Sequence, residues 1–209
     1  MKTYLIHHGI KGQRWGIRRY QNEDGSLTEE GKQRYYPDRV FVSGTSKMQD
    51  PESVYYRKEL PKEIRDELDN HVENNHTILV GDAPGVDSMV QDYLASKKHK
   101  NVEIYVSGSN VRKNADSSGK LGWKVHHINT KDFIEGSKEW HAVKDKAMNK
   151  SASYGLAVIL ENGGAGATRK NIIRFIDDKK DAKIFELSSS KPDSYITGKE
   201  FLKEMGLIW

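Results

Sequence analysis

The sequence predicts an α/β protein of the Rossmann-like class, with an open, mostly parallel sheet, helices on both faces and a small N-terminal appendage. Three observations predict it. From Val40 onward, short β-branched runs alternate with longer amphipathic stretches, the texture of βαβ units. Three of those runs end in glycine-bearing turns that open a helix or loop. The length, 209 residues, suffices for one full α/β domain and a short extra segment.

Val40-Phe41-Val42 reads as the first strand and stops at Ser43-Gly44-Thr45-Ser46. Leu60, Ile64, Leu68 and Val72 recur every four residues and mark the apolar face of a helix. Thr77 to Val80 forms a second strand, closed by Gly81-Asp82-Ala83-Pro84-Gly85. Val86, Met89, Val90, Tyr93 and Leu94 give the next helix, and Val102 to Val106 a third strand. The stretch from Ser107 to Gly119 is too hydrophilic to pack and is expected to be a mobile loop. Trp123 to Ile128 reads as a short edge strand. A helix over about Ser137 to Ser151 should turn Trp140, Val143 and Ala147 inward. Leu156 to Leu160 is the most apolar strand, followed by Gly163-Gly164-Ala165-Gly166-Ala167-Thr168. A helix carrying Ile172, Ile173 and Ile176 and a strand at Lys183 to Leu187 come next. Thr197 with Glu200 makes a capping box that opens a last helix ending near Trp209.

Composition excludes several functions. No run approaches 18 apolar residues, so no membrane span is expected. The apolar stretch at Leu5-Ile6 breaks at His7-His8, too short for a signal peptide, and a cytoplasmic protein is the simplest reading. There is no cysteine, which removes disulfides, thiolate catalysis and Cys-ligated zinc together. Net charge is +4, yet residues 1–20 hold Lys2, Lys11, Arg14, Arg18 and Arg19 and no acid. The remainder carries 29 basic against 30 acidic side chains, so the basic character belongs to the N-terminal arm. His7-His8 and His126-His127 are adjacent pairs whose members point to opposite faces of a strand, and no metal-ligand spacing appears. No metal and no cofactor is expected.

The chemistry is expected where the three glycine turns converge. In open parallel sheets the carboxyl ends of strands line one crevice. Glycine lets backbone amides approach a ligand, and a helix N-terminus adds partial positive charge suited to phosphate. The expected ligand-binding set is therefore Ser43, Gly44, Thr45 and Ser46; Gly81, Asp82, Ala83, Gly85 and Asp87; and Gly163, Gly164, Gly166, Thr168 and Asn171, with Lys144. Asp82 has the wrong sign to face a phosphate but suits ribose hydroxyls. Neither a Gly-x-Gly-x-x-Gly fingerprint after the first strand nor a Walker Gly-Lys-Ser/Thr is present, which weakens dehydrogenase and ATPase readings. Trp123 and Trp140 read as core or loop anchors, with stacking on a base as the alternative.

Phe41-Val42-Ser43-Gly44 followed by Val80-Gly81-Asp82-Ala83-Pro84-Gly85-Val86-Asp87 resembles the YspA-type branch of the SLOG superfamily, the DprA- and LOG-related Rossmannoids. The block His141 to Met148, with Tyr154-Gly155-Leu156-Ala157 and the glycines after it, is similar to the same group's C-terminal half. The resemblance covers roughly residues 39–187 and implies a pocket for a nucleotide or its derivative. It gives three segments: an N-terminal module over 1–38, a SLOG-like nucleotide-binding domain over 39–190 and a C-terminal helix packed on it over 191–209. Members of the superfamily either sense such ligands or cleave N-glycosidic bonds, and they often self-associate, which implies a homo-oligomer. The hydrolytic LOG pattern Gly-Gly-x-Gly-Thr-x-x-Glu departs here in two ways. An extra residue precedes Thr168, and Asn171 stands where the pattern has glutamate. An amide cannot act as a carboxylate base, so binding is favoured over hydrolysis; Asp82, Asp87 and Asp145 are the possible replacements, with Asp82 and Asp145 the catalytic candidates.

Tyr4-Leu5-Ile6-His7-His8-Gly9-Ile10-Lys11-Gly12-Gln13-Arg14-Trp15-Gly16, continuing through Arg18, Arg19 and Tyr20 to about residue 36, is similar to a short module of phages of Gram-positive bacteria. Its cations and aromatics suit docking on a protein partner or an anionic surface. Three functions therefore stand open. The first is sensing or sequestering a nucleotide-derived small molecule, phage-encoded and acting on host nucleotide signalling in the bacterial cytoplasm. The second is a nucleotide N-glycosidase or transferase of the LOG or deoxyribosyltransferase type. The third is a virion-associated structural or targeting protein.

Overall fold

The β-branched runs pair into one sheet. The computed structural model describes residues 21–24, 26, 28, 38–161 and 166–207, and the chain divides into two units, Met1–Pro37 and Asp38–Trp209. The phage-type motif over residues 4–20 lies outside the described residues. In the first unit, the Ser26 backbone N–H and hydroxyl both donate to Asp24 Oδ1, at 2.9 and 2.6 Å, which fixes a local turn.

In the second unit, β1 (Arg39–Gly44) leads through a 3₁₀ turn at Ser46–Gln49 to α1 (Lys62–Glu73). Then follow β2 (Thr77–Gly81), α2 (Val86–Ser96), β3 (Val102–Ser107) and β4 (Lys124–Ile128). The second half runs α3 (Lys138–Ser151), β5 (Tyr154–Leu160), α4 (Ala167–Asp177), β6 (Asp181–Leu187), β7 (Ser194–Ile196) and α5 (Gly198–Glu204). The strand order is β4-β3-β2-β1-β5-β6-β7, parallel except for β7, which pairs antiparallel with β6.

Alternate residues of each strand feed different faces, as the period of two requires. Val40, Val42, Ile78, Val80 and Ile104 meet Ile64 and Leu68 of α1 and Val90 and Leu94 of α2. Phe41, Leu79 and Tyr105 meet Met148 of α3 and Phe175 of α4 on the other face. A third cluster joins Ala157, Ile159 and Ile184 to Ile172 and Phe201, so α5 is packed on the sheet. Each fully buried side chain of this size contributes roughly 1.5–3 kcal/mol relative to exposure. Helices on both faces of a mostly parallel sheet make this the expected Rossmann-like class.

Several sequence expectations change in detail. The loop between β3 and β4 is packed rather than loose, because its polar groups have partners. The Gln91 side chain donates to Lys113 O at 3.3 Å and accepts from the Ala115 N–H at 3.0 Å. Buried Asp116 accepts from the Leu121 and Trp123 N–H groups at 3.0 and 3.1 Å. Trp123 is core, its indole donating to His99 O at 2.7 Å. In α3 the buried residues are Lys144, Asp145, Met148 and Asn149, not Trp140, Val143 and Ala147, which are only half-buried. The helix presents a polar face inward because it covers a polar crevice. The capping box of Thr197 and Glu200 is present, and α5 stops at Glu204. The short strand β7 has no counterpart in the sequence reading.

Candidate ligand crevice at the strand ends

The order of strands reverses between β1 and β5: β2 to β4 lie on one side, β6 and β7 on the other. At such a switch point the loops leaving neighbouring strands part and open a crevice at their carboxyl ends. Here it has a volume of about 330 Å³ and is lined from five directions: Ser43, Gly44 and Ser46 at the end of β1, Gly81, Ala83 and Pro84 at the end of β2, Arg112 of the β3–β4 loop, the first residues of α4, and the polar face of α3.

Two glycines are required by the geometry. A Cβ on Gly81 would overlap the Asp87 carboxylate and stand 2.6 Å from Lys144 Nζ, so both charged groups lie directly over its Cα. Gly85, at φ +90°, starts α2 against the backbone of Thr45 and Ser46, in a conformation a side chain disfavours. The Gly85 N–H donates to Gln49 Oε1 at 2.8 Å, and the Val86 N–H to Thr45 O at 3.2 Å, which locks the first two turns together.

The charged groups form a layered arrangement. Asp82, 1% exposed, is held by Arg112: Nη2 donates to Oδ1 at 2.6 Å, Nε to Oδ2 at 3.1 Å and the Arg112 backbone N–H to Oδ2 at 3.0 Å. Burial alone would raise the Asp82 carboxyl, but the Arg112 hydrogen bonds and the charges of Arg112 and Lys144 bring it below its ordinary value. Lys144, 5% exposed, has its ammonium 4.0 Å from Asp82 Oδ1. Burial pushes Asp87 up to about 6, with Asp145 and Asp82 adding repulsion and Lys144 opposing it. Asp145 Oδ2 accepts from Asn171 Nδ2 at 3.3 Å, and Asn171 Oδ1 accepts from Arg174 at 2.6 Å. His141 is held below its ordinary value by burial and by the Arg112 and Lys144 charges.

Of the residues singled out in sequence, Ser43, Gly44, Ser46, Gly81, Ala83, Asp87, Lys144, Asp145, Thr168 and Asn171 meet around this one crevice. Asp82 lies behind its wall as the anchor of Arg112. Thr45 turns away: its hydroxyl caps the 3₁₀ turn, accepting from the Lys47 N–H at 3.1 Å. Gly85 and Gly166 shape the starts of α2 and α4 without lining the space. Gly163 and Gly164 lie outside the described residues. Sequence reasoning missed Arg112 and His141. The signal for Arg112 was Asp82 itself, an acid in a buried turn that needs a cation. Among the described residues no group of three or more His, Asp or Glu side chains could hold a metal, and no helix is long and apolar enough to cross a membrane.

No protein-family model and no curated protein matches the chain. Among solved structures, the fold is similar to that of DNA processing protein A from Helicobacter pylori, described for its single-stranded DNA binding mode. The TM-score is 0.51 at 14% sequence identity, over 85% of this chain and 77% of that one. The likeness is one of fold, a Rossmann-like α/β architecture built on a mostly parallel sheet.

Proposed function

We propose that the protein binds a nucleotide-derived small molecule, sensing or sequestering it, in the crevice at the β1–β5 switch. The observation that carries this reading is Lys144, a buried ammonium facing a glycine turn. Its one ion pair among the described residues is the 4.0 Å contact with Asp82, whose oxygens Arg112 already engages. Asp87 shares the space over Gly81 and is raised by burial toward its protonated form. With no ion pair closer than 4.0 Å among the described residues, the buried ammonium is placed to take an incoming anion. The N-termini of α2 and α4 add partial positive charge at the same place, a phosphate-binding arrangement. Asp87 and Asp145 supply acceptors for sugar hydroxyls.

The same reading makes the second unit a YspA-type SLOG domain, with its C-terminal helix as part of it and the N-terminal module as a separate docking segment. In a phage setting it would act on nucleotide signalling in the bacterial cytoplasm. A homo-oligomer belongs to this proposal through the superfamily resemblance. The described binding of single-stranded DNA by the H. pylori protein offers a different ligand class. The near-neutral charge outside residues 1–20 disfavours it, since nucleic-acid affinity rests largely on cations facing phosphates.

The test uses the intact chain with nucleoside monophosphates, NAD, ADP-ribose, cyclic dinucleotides and a thymidine oligonucleotide, following thermal shift and released base together. Stabilisation by a small nucleotide, lost in Lys144→Met and without turnover, is the expected result. Base release abolished by Asp145→Asn or Asp87→Asn would move the protein to the N-glycosidases. A shift with the oligonucleotide alone would make it a nucleic-acid binder. No shift with any probe would leave the virion-associated role.

A further inference from the structure

Beside the crevice, along the same carboxyl edge, lies a larger groove of about 640 Å³ at the ends of β3 and β4. Two of its lining residues, Trp140 and Phe133, are aromatic, and Asn110, Asn129 and Glu135 stand among them. The two spaces adjoin through consecutive residues. Trp140 lines the groove while His141 lines the crevice, their rings edge to face at 4.7 Å. Asn110 and Arg112, two residues apart on one loop, repeat the relationship. Trp140 is fixed from behind: its indole packs against Gly108, its carbonyl accepts from Ser107 Oγ at 3.2 Å, and His127 contacts Gly108 O at 2.9 Å.

We propose that this groove is the nucleobase subsite of the crevice ligand, with Trp140 as the stacking platform. The inference rests on the crevice being a nucleotide site. At about 330 Å³ the crevice is at the low end of the ligand cavities of proteins, roughly 300–1,000 Å³, and its polar walls suit a sugar phosphate. A ligand with its phosphate at Lys144 and Arg112 has the groove as its adjoining outlet. What waits there is a pre-positioned indole with amide and carboxylate groups around it, the combination that accepts a flat, hydrogen-bonding ring. A purine or pyrimidine fits that chemistry; a lipid tail does not, because the rim would bury its amides unpaired.

The experiment titrates the intact protein with ADP-ribose and, separately, with ribose 5-phosphate. ADP-ribose is expected to bind at least about tenfold tighter, the margin of one stacked base, and to quench tryptophan fluorescence. Trp140→Ala should remove that margin while leaving ribose 5-phosphate affinity unchanged. Phe133→Ala, at a side chain 41% exposed, provides a second variant with a smaller folding cost, and should narrow the margin. Trp140→Phe should keep ADP-ribose binding and lose most of the quench. Equal affinity for the two probes, or a margin that survives both alanine variants, overturns the groove and leaves the crevice standing. Failure of both probes to bind overturns the groove, and the crevice reading falls with it only when no nucleotide of the wider panel binds.

Discussion

Arg112 grips Asp82 through both carboxylate oxygens, at 2.6 and 3.1 Å, and its own backbone N–H adds a third bond at 3.0 Å. The pair ties the β3–β4 loop to the wall of the crevice. Arg112→Ala leaves a buried carboxylate with Lys144 4.0 Å away. The expected loss is about 1.5–3 kcal/mol, the range for hydrogen bonds to charged groups, measured by urea unfolding. Amides of residues 107–122 should exchange faster as well. An unchanged midpoint with unchanged protection would show that the loop is held by Gln91 and Asp116 alone.

Gly81→Ala tests the close approach over β2. The new methyl would meet the Asp87 carboxylate and Lys144 Nζ together, and overpacking of this kind costs about 1–3 kcal/mol. Because the displaced groups are the crevice's own charges, ligand affinity should fall with stability. A variant of normal thermal stability and normal affinity would contradict the geometry.

Asp87 makes stability depend on pH in an unusual direction. Its carboxyl is raised by burial from 3.8 to about 6, so between those values the folded chain holds a proton that the unfolded chain has released. Its contribution is present at low pH and is lost as pH rises through about 6. Asp87→Asn should therefore be more stable than the parent at pH 7, on the order of 3 kcal/mol. ADP-ribose, whose phosphates do not titrate in this range, should bind the parent better at pH 5.5 than at 7.5. The Asn variant should lose most of that slope, the remainder belonging to His141. A parent affinity independent of pH would refute the assignment.

His71 works in the opposite sense at the other end of the sheet. Its Nδ1 lies 2.9 Å from His76 Nδ1, and burial, with the His76 charge, lowers it from 6.5 to about 4 despite Glu67. The unfolded chain takes up a proton that the folded chain refuses, so stability falls as pH drops from 6.5 toward 4. His71→Gln should flatten that loss. The two groups partly cancel in the parent, and their variants should tilt the pH–stability curve in opposite directions. Parallel curves for both variants would rule out this pairing.

Thr197→Ala removes the side chain that accepts from the Glu200 N–H at 3.1 Å and begins α5. A loss of about 1 kcal/mol is expected by thermal unfolding. Retention of full stability would show that buried Phe201 alone holds the helix.

The strands were legible because Val40 to Val42, Thr77 to Val80 and Leu156 to Leu160 are apolar runs of the right length bounded by turn residues. The same pattern misreads α3. A periodicity argument seeks apolar residues, whereas this helix buries Lys144, Asp145 and Asn149 because what it covers is a polar space. The loop from Ser107 was misread for a related reason: hydrophilicity says nothing about whether each polar group will find a partner. Arg112 and Gln91 find theirs in residues 30 positions before and 24 positions after them in the chain, at Asp82 and Ala115. Asp87 was legible as a site residue but not as a buried one, since its protonation follows from neighbours that only the fold assembles.

The reversal of strand order between β1 and β5 also sets a schedule. Arg39 of the first strand bonds Ser153, 114 residues later, and Val40 pairs with Tyr154. A chain leaving the ribosome can align β1 to β4 early, yet at that stage it has only half of the crevice. Lys144 and Asp145 arrive with α3, and Thr168 and Asn171 only after β5 has docked. A ligand that recognises the finished crevice stabilises finished chains alone. Occupancy therefore reports completeness of synthesis: fragments ending before α4 gain nothing from the ligand, however well their first four strands have paired.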